Sequence, residues 1–171
     1  MKIKLNRNLQ IGYGFSILVL LIVAAISYHT FQNMTESSKW VDHSNTVVQK
    51  LEKIASVMKD AETGQRGFLL TNQKEFLAPY NGAYRNALDL ANQVKQLTRD
   101  NPQQQQNTDK LKDVLVNRLN ILQVLLDKRR DGKVVTVDDL RKGKLAMDAL
   151  RAIVDKAEKD EKKLLNSVSI F

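Results

Sequence analysis

The chain has no cysteine, two prolines, two histidines and one tryptophan among 171 residues. Without cysteine there is no disulfide framework, no thiolate metal site and no thiol nucleophile. His29 and His43 stand too far apart in sequence to make a recognisable metal or catalytic cluster, and each reads as an interfacial or exposed side chain. No glycine loop could cradle a phosphate, and no basic run is interleaved with aromatics, so nucleic acid is not an expected partner. No cofactor or metal is implied. An enzyme would need converging acid, base or nucleophile groups, and only scattered helix-surface charges are found. Scarce glycine and proline, beside abundant Leu, Ala, Lys, Gln and Asp, favour helix over strand.

Acidic residues are also missing ahead of Glu36. Within that stretch Lys2, Lys4 and Arg7 precede one long apolar run, from Ile11 to about Ile26. Its length is close to the roughly 20 residues that a bilayer span needs. Cations on the short flank place that flank in the cytoplasm. The expected division is a cytoplasmic tail at 1–10, a transmembrane helix at 11–31 and an external domain at 32–171. A cleaved signal peptide is the rival reading, with Val23-Ala24-Ala25 as its cleavage site. The length of the run, and Tyr13 and Tyr28 bracketing it as interfacial anchors, favour a retained span. Either way the domain is exported. Three of the 27 Lys and Arg precede Thr35, which leaves 24 against 19 Asp and Glu outside. That excess is mild and reads as solvated helix faces.

Apolar positions in the external part recur in steps of four and three, the mark of bundle helices. The first stripe is Val47, Leu51, Ile54, Met58, Ala61, Gln65 and Phe68. The second is Leu77, Tyr80, Tyr84, Ala87, Ala91, Val94 and Thr98; the third is Leu111, Leu115, Arg118, Leu122, Leu125 and Arg129. The fourth runs through Leu140, Gly143, Met147, Leu150, Val154, Ala157, Glu161, Leu164 and Val168. Punctuation falls between them. Asn72 with Glu75 resembles a capping box. Asn101-Pro102 reads as an N-cap followed by proline at the first helical position. Asp131-Gly132 closes the third helix, and Thr136 with Asp139 caps the fourth. Pro79 either follows a one-turn lead-in or kinks the second helix. The Gln103–Gln106 run reads as a solvated first turn. Short connections make neighbours antiparallel, so the expected class is all-α: a transmembrane helix continuous with an up-down-up-down four-helix bundle.

The densest polar cluster is Asp60-Ala-Glu-Thr-Gly-Gln-Arg-Gly-Phe-Leu-Leu-Thr71. Two glycines inside a heptad pattern cost roughly 1 kcal/mol each relative to alanine. They mark either close helix approach and bending, or a helix end that frays. This segment, with Pro79-Tyr80, Asp100-Asn-Pro and Gln103 or Gln104, resembles the CHASE3 sensory domain family. Trp40-Val41-Asp42-His43 and the segment from Leu119 to Arg130 are also similar, and the resemblance spans nearly all of 38–167. It implies an extracytoplasmic four-helix sensor between two spans, at the N-terminus of bacterial histidine kinases, cyclases or chemotaxis receptors in the plasma membrane. No ligand is carried over from the family. The chain stops at Ser169-Ile170-Phe171, where the fourth helix would return to the bilayer. A truncation before a second span is expected, with a stand-alone anchored bundle as the alternative.

Counting residues from the turns at 1.5 Å each puts Glu62 and Arg118 at similar heights, with Tyr80 and Lys144 or Asp148 nearby. Arg118 lies on an apolar stripe, where a lone charge is expensive. Glu62 or Asp60 is therefore expected to pair with Arg118, with Tyr80 able to hydrogen-bond. The layer is either structural, fixing register, or a polar ligand pocket. Arg66, nearer the distal end, is the candidate contact for an anionic ligand. Two functions stay open: a sensor input domain, most simply of a histidine kinase, working as a parallel homodimer that shifts one helix against another; or an anchored scaffold without output. Single cysteines in this cysteine-free chain test the topology. A thiol at Lys39 is expected to label only from outside, and one at Lys4 only from inside; the reverse pattern would remove the sensor reading.

Overall fold

No glycine or proline falls between Gly14 and Gly64, and nothing interrupts the first helix there. The computed structural model describes residues 7–168. Its elements are α1 (Arg7–Thr71), a 3-10 turn (Lys74–Leu77), α2 (Ala83–Leu97), α3 (Pro102–Arg130) and α4 (Val137–Val168), with no strand among the described residues. Lys2, Lys4 and Ser169-Ile170-Phe171 lie outside the described residues, as does the side chain of Val168.

The chain divides into two units between Val41 and Asp42. In the first, Gln10–Gln32 form 23 residues of apolar helix with none of that surface buried. That is long and apolar enough to cross a bilayer.

The second unit buries the expected stripes around one core. Val47, Leu51, Ile54, Met58 and Ala61 of α1 meet Leu111, Leu115 and Leu122 of α3, and Met147, Leu150, Val154 and Ala157 of α4. Phe68, Leu77 and Leu126 form a second cluster, and Tyr80 packs against both. In the second stripe Leu77, Ala87, Ala91, Val94 and Thr98 are buried as expected, and one position differs. α2 starts at Ala83, so Ala83, Ala87, Ala91 and Val94 face inward while Tyr84 is exposed. Small alanines let that helix sit close. In α4 the buried stripe starts at Gly143, and Leu140 in the first turn is half exposed.

Partners run in opposite chain order along α3 and α4: Gln104 meets Glu161, and Lys128 meets Asp139. The same holds for α1 with α4, where Ser44 meets Glu161 and Glu62 shares a cleft with Met147. Along α1 and α3 the order is the same, Glu62 to Arg118 and Gln65 to Leu122. That is the order an up-down-up-down bundle requires.

Three of the four punctuation marks act as expected. Asn101 Oδ1 accepts from the backbone N–H groups of Gln103 and Gln104, with Pro102 beside it. Thr136 and Asp139 exchange a full capping box. Gly132 takes φ +70° after α3. Asn72 does not start a capping box. It closes α1 instead, at φ +60°, donating its N–H to Phe68 O at 2.8 Å, the left-handed cap that asparagine tolerates. Pro79 lies in the linker after the 3-10 turn, and Gly82 at φ +88° launches α2.

Gly64 and Gly67 sit inside an unbroken helix, so the fraying alternative falls and close approach stands. A Cβ at Gly64 would lie 2.4 Å from Phe76 O, and one at Gly67 2.5 Å from the Phe76 ring. The linker between α1 and α2 packs down onto bare backbone. Gly64→Ala should therefore destabilise the bundle, by about 1–3 kcal/mol of overpacking, despite alanine's better helix propensity; a raised urea midpoint would contradict the close approach. Asp139 gives a pH test. Hydrogen bonds from Lys128, then from the Thr136 backbone and hydroxyl, lower its pKa from 3.8 to about 2. Its contribution to stability is complete above its ordinary value and lost as pH falls through about 2. Asp139→Asn should flatten the fall in urea midpoint between about pH 4 and pH 2.

Candidate functional site

Arg118 takes a core position on α3 between Leu115 and Leu122 and is 2% exposed. An arginine there must bring its counter-ion with it, because the buried charge alone is costly. Glu62 of α1 supplies it, with Oε2 3.0 Å from Arg118 Nη2. Glu62 Oε1 also lies 2.9 Å from Arg66, one turn further on. One carboxylate thus serves two guanidinium groups. Burial lowers the Arg118 pKa from its ordinary value, the nearby Arg66 and Arg151 lower it further, and Glu62 pulls it back up. Arg118 Nε and Nη1 are buried without a hydrogen-bond partner. Gly143 of α4 faces this group: a Cβ there would stand 3.4 Å from Nη1, at van der Waals contact.

The pair expected between Glu62 and Arg118 is therefore present. Asp60 is not part of it. It is exposed, because two residues turn a helix by roughly 200° and point it away from Glu62. Tyr80 is not part of it either. Its hydroxyl donates to Gln123 Oε1 at 2.7 Å, and Gln123 in turn donates to Asp127. Burial, and then the charge of Asp127, raise the Tyr80 pKa. The linker sets α2 further along than a helix starting near Leu77 would be, which carries Tyr80 above the layer. Gln65 adds a second buried link, donating to Leu122 O at 2.8 Å.

Beside this pair lies an open cleft of about 570 Å³ between α1 and α4. Glu62 and Arg66 line it from α1; Leu140, Lys144, Met147, Asp148 and Arg151 are among those lining it from α4. Lys144 pairs with Asp148, which also lies 3.5 Å from Arg151. Lys144 and Asp148 were expected at this height, and Arg66, the residue expected to meet an anion, lines the same cleft.

A further polar cluster at the other end of the bundle has no counterpart among the expected sites. Glu161 is 1% exposed. Its carboxylate accepts from Ser44 Oγ at 2.8 Å and Gln104 Nε2 at 3.0 Å. Gln104 also donates to Ala157 O, and Asn107 to Asp160. The Gln103–Gln106 turn is thus not simply solvated: Gln104 is fully buried under α4. Stepping back from Leu111 by three or four places reaches Thr108 or Asn107 and then Gln104, a signal the polar composition hides. Among the described residues no group of three or more His, Cys, Asp or Glu could hold a metal ion.

An apolar helix long enough to cross a membrane and a helical bundle with a charged layer inside it are thus the two units of the described chain. The CHASE3 domain profile matches residues 37–169, and the chain belongs to that family of extracytoplasmic sensory domains. No curated protein and no solved structure matches it.

Arg118→Ala should cost on the order of 3 kcal/mol, as for a broken buried pair, because it also leaves a cavity. Arg85→Ala, on the exposed face of α2, should cost under about 1 kcal/mol. Equal denaturant midpoints for the two variants would refute a stabilising layer.

Proposed function

We propose that the chain is the extracytoplasmic input domain of a bacterial transmembrane receptor of the histidine-kinase class. Its N-terminus faces the cytoplasm and its bundle lies outside the plasma membrane. The supporting observation is that one helix, α1, contains both the apolar stretch Gln10–Gln32 and the Glu62 and Arg66 side chains of the cleft. A stimulus that moves α1 against α4 by an ångström or two is the kind of shift such domains relay. The catalytic work belongs to an output module.

A tethered bundle needs a second copy to move against, so the reading includes a parallel homodimer along residues 36–48. Trp40, Val47, Leu164 and Val168 are the apolar groups the sequence offers near that surface, but Val47 is fully buried in the bundle core and does not serve it. Trp40 keeps 37% of its surface exposed. Single cysteines at positions 36 to 48, oxidised in membranes, should cross-link with a period near 3.5 residues. A low, flat profile would indicate a monomer and support the anchored scaffold instead.

A further inference from the structure

The cleft between α1 and α4 has an unbalanced charge. Its lining cations are Arg66, Arg141, Lys144 and Arg151, and its lining carboxylates are Glu62 and Asp148. Each carboxylate is shared: Glu62 between Arg66 and the buried Arg118, Asp148 between Lys144 and Arg151. Arg141 is paired with Asp138 at 2.9 Å, outside the lining, so the excess of cations falls on Arg66, Lys144 and Arg151, which with Arg118 have only Glu62 and Asp148 between them. A concave surface of one sign concentrates ions of the other.

The cleft is also apolar at one end. Leu140 and Val137 line it, and Val137 is 72% exposed. A second cavity, of about 580 Å³, adjoins it through Arg66 and Leu140, which line both. Leu69, Leu70, Val134 and Val135 line that second cavity. Leu70 is 83% and Val134 80% exposed. Apolar groups gathered in a cavity of this size are characteristic of a small-molecule site.

We propose that this double cleft binds a small amphiphilic anion. Its head carries at least two negative oxygens and lies among Arg66, Lys144 and Arg151. Its apolar body lies over Leu140 toward Leu70 and Val134. Arg66 belongs to α1 and Lys144 to α4, so the head ties those two helices together. When Arg66 turns to the head, Glu62 is left to Arg118 alone, and the buried pair tightens. Binding itself stands without the receptor reading; only its use as a signal rests on that reading.

The probe is hexyl phosphate, with inorganic phosphate and hexan-1-ol as its two halves. Equilibrium dialysis against the full chain in zwitterionic lipid nanodiscs reads the bound amount, with empty nanodiscs as the blank. Saturable binding near one per chain above the blank is expected. Arg66→Gln with Lys144→Gln should weaken it by about tenfold or more, as for lost charge-assisted hydrogen bonds. Both side chains are largely exposed, so the fold should survive, and circular dichroism checks that. Arg85→Gln with Lys110→Gln, on other exposed faces, should leave binding unchanged. Inorganic phosphate should bind about tenfold more weakly, and hexan-1-ol no better than the blank. Uptake equal to the blank, equal binding by the Arg66/Lys144 double variant, or equal affinity for inorganic phosphate would each overturn the proposal. Binding with a flat cross-linking profile would instead remove the receptor reading and leave the site.

Discussion

A guanidinium stands where the repeat of the bundle calls for leucine. Arg118 is tolerated in the core because Glu62 meets it at 3.0 Å. The two must stand at one height. Sliding α1 along α3 by a single turn would part the charges by about 5.4 Å and leave Arg118 buried without its counter-ion, which costs on the order of several kcal/mol. The surrounding leucines supply adhesion without preference for register, since one leucine layer resembles the next. The ion pair discriminates among those layers, and the cleft beside it depends on that choice.

The segment from Asp60 to Thr71 is dense because each face of it has a different neighbour. Ala61, Gln65 and Phe68 turn into the core. Gly64 and Gly67 receive the linker, whose Phe76 backbone and ring rest on them. Glu62 and Arg66 reach the cleft toward α4. Backbone approach, buried polarity and solvent-facing charge thus occupy three turns of one helix. A change on one face strains the others, because the helix cannot rotate to relieve it.

Polar groups also close the opposite end of the core. Glu161 takes hydrogen bonds from α1 and α3 at once, through Ser44 and Gln104. Between the two polar layers the core is aliphatic, from Leu51 to Met58 on α1 and from Leu111 to Leu115 on α3. Apolar packing of that kind is non-directional. The directional bonds at either end fix how α1 stands against the others, the relationship that a helix shift would alter.

Much of this was legible in the sequence. Steps of three and four marked the buried faces of all four bundle helices, since a helix of 3.6 residues per turn returns every such position to one side. The acid-free apolar run marked the long apolar helix at Gln10–Gln32, and Asn101, Gly132 and Thr136 marked helix ends through local bonds that need no distant partner. Arg118 announced itself as a charge on an apolar stripe, and counting from the turns found Glu62. Other features depended on tertiary contacts. Asn72 and Glu75 had the spacing of a cap, but the chain turned left-handed at Asn72 instead. Tyr84 lost its inward place once Gly82 reset the start of α2. Asp60 and Tyr80 shared the height of Arg118 by rough count, while rotation about one helix and the length of the linker took them elsewhere. Gln104 looked like a solvent residue until α4 covered it. Residue type and spacing determine what a helix presents on each face; which side chains meet across helices depends on rotation and height, which only the packed bundle sets.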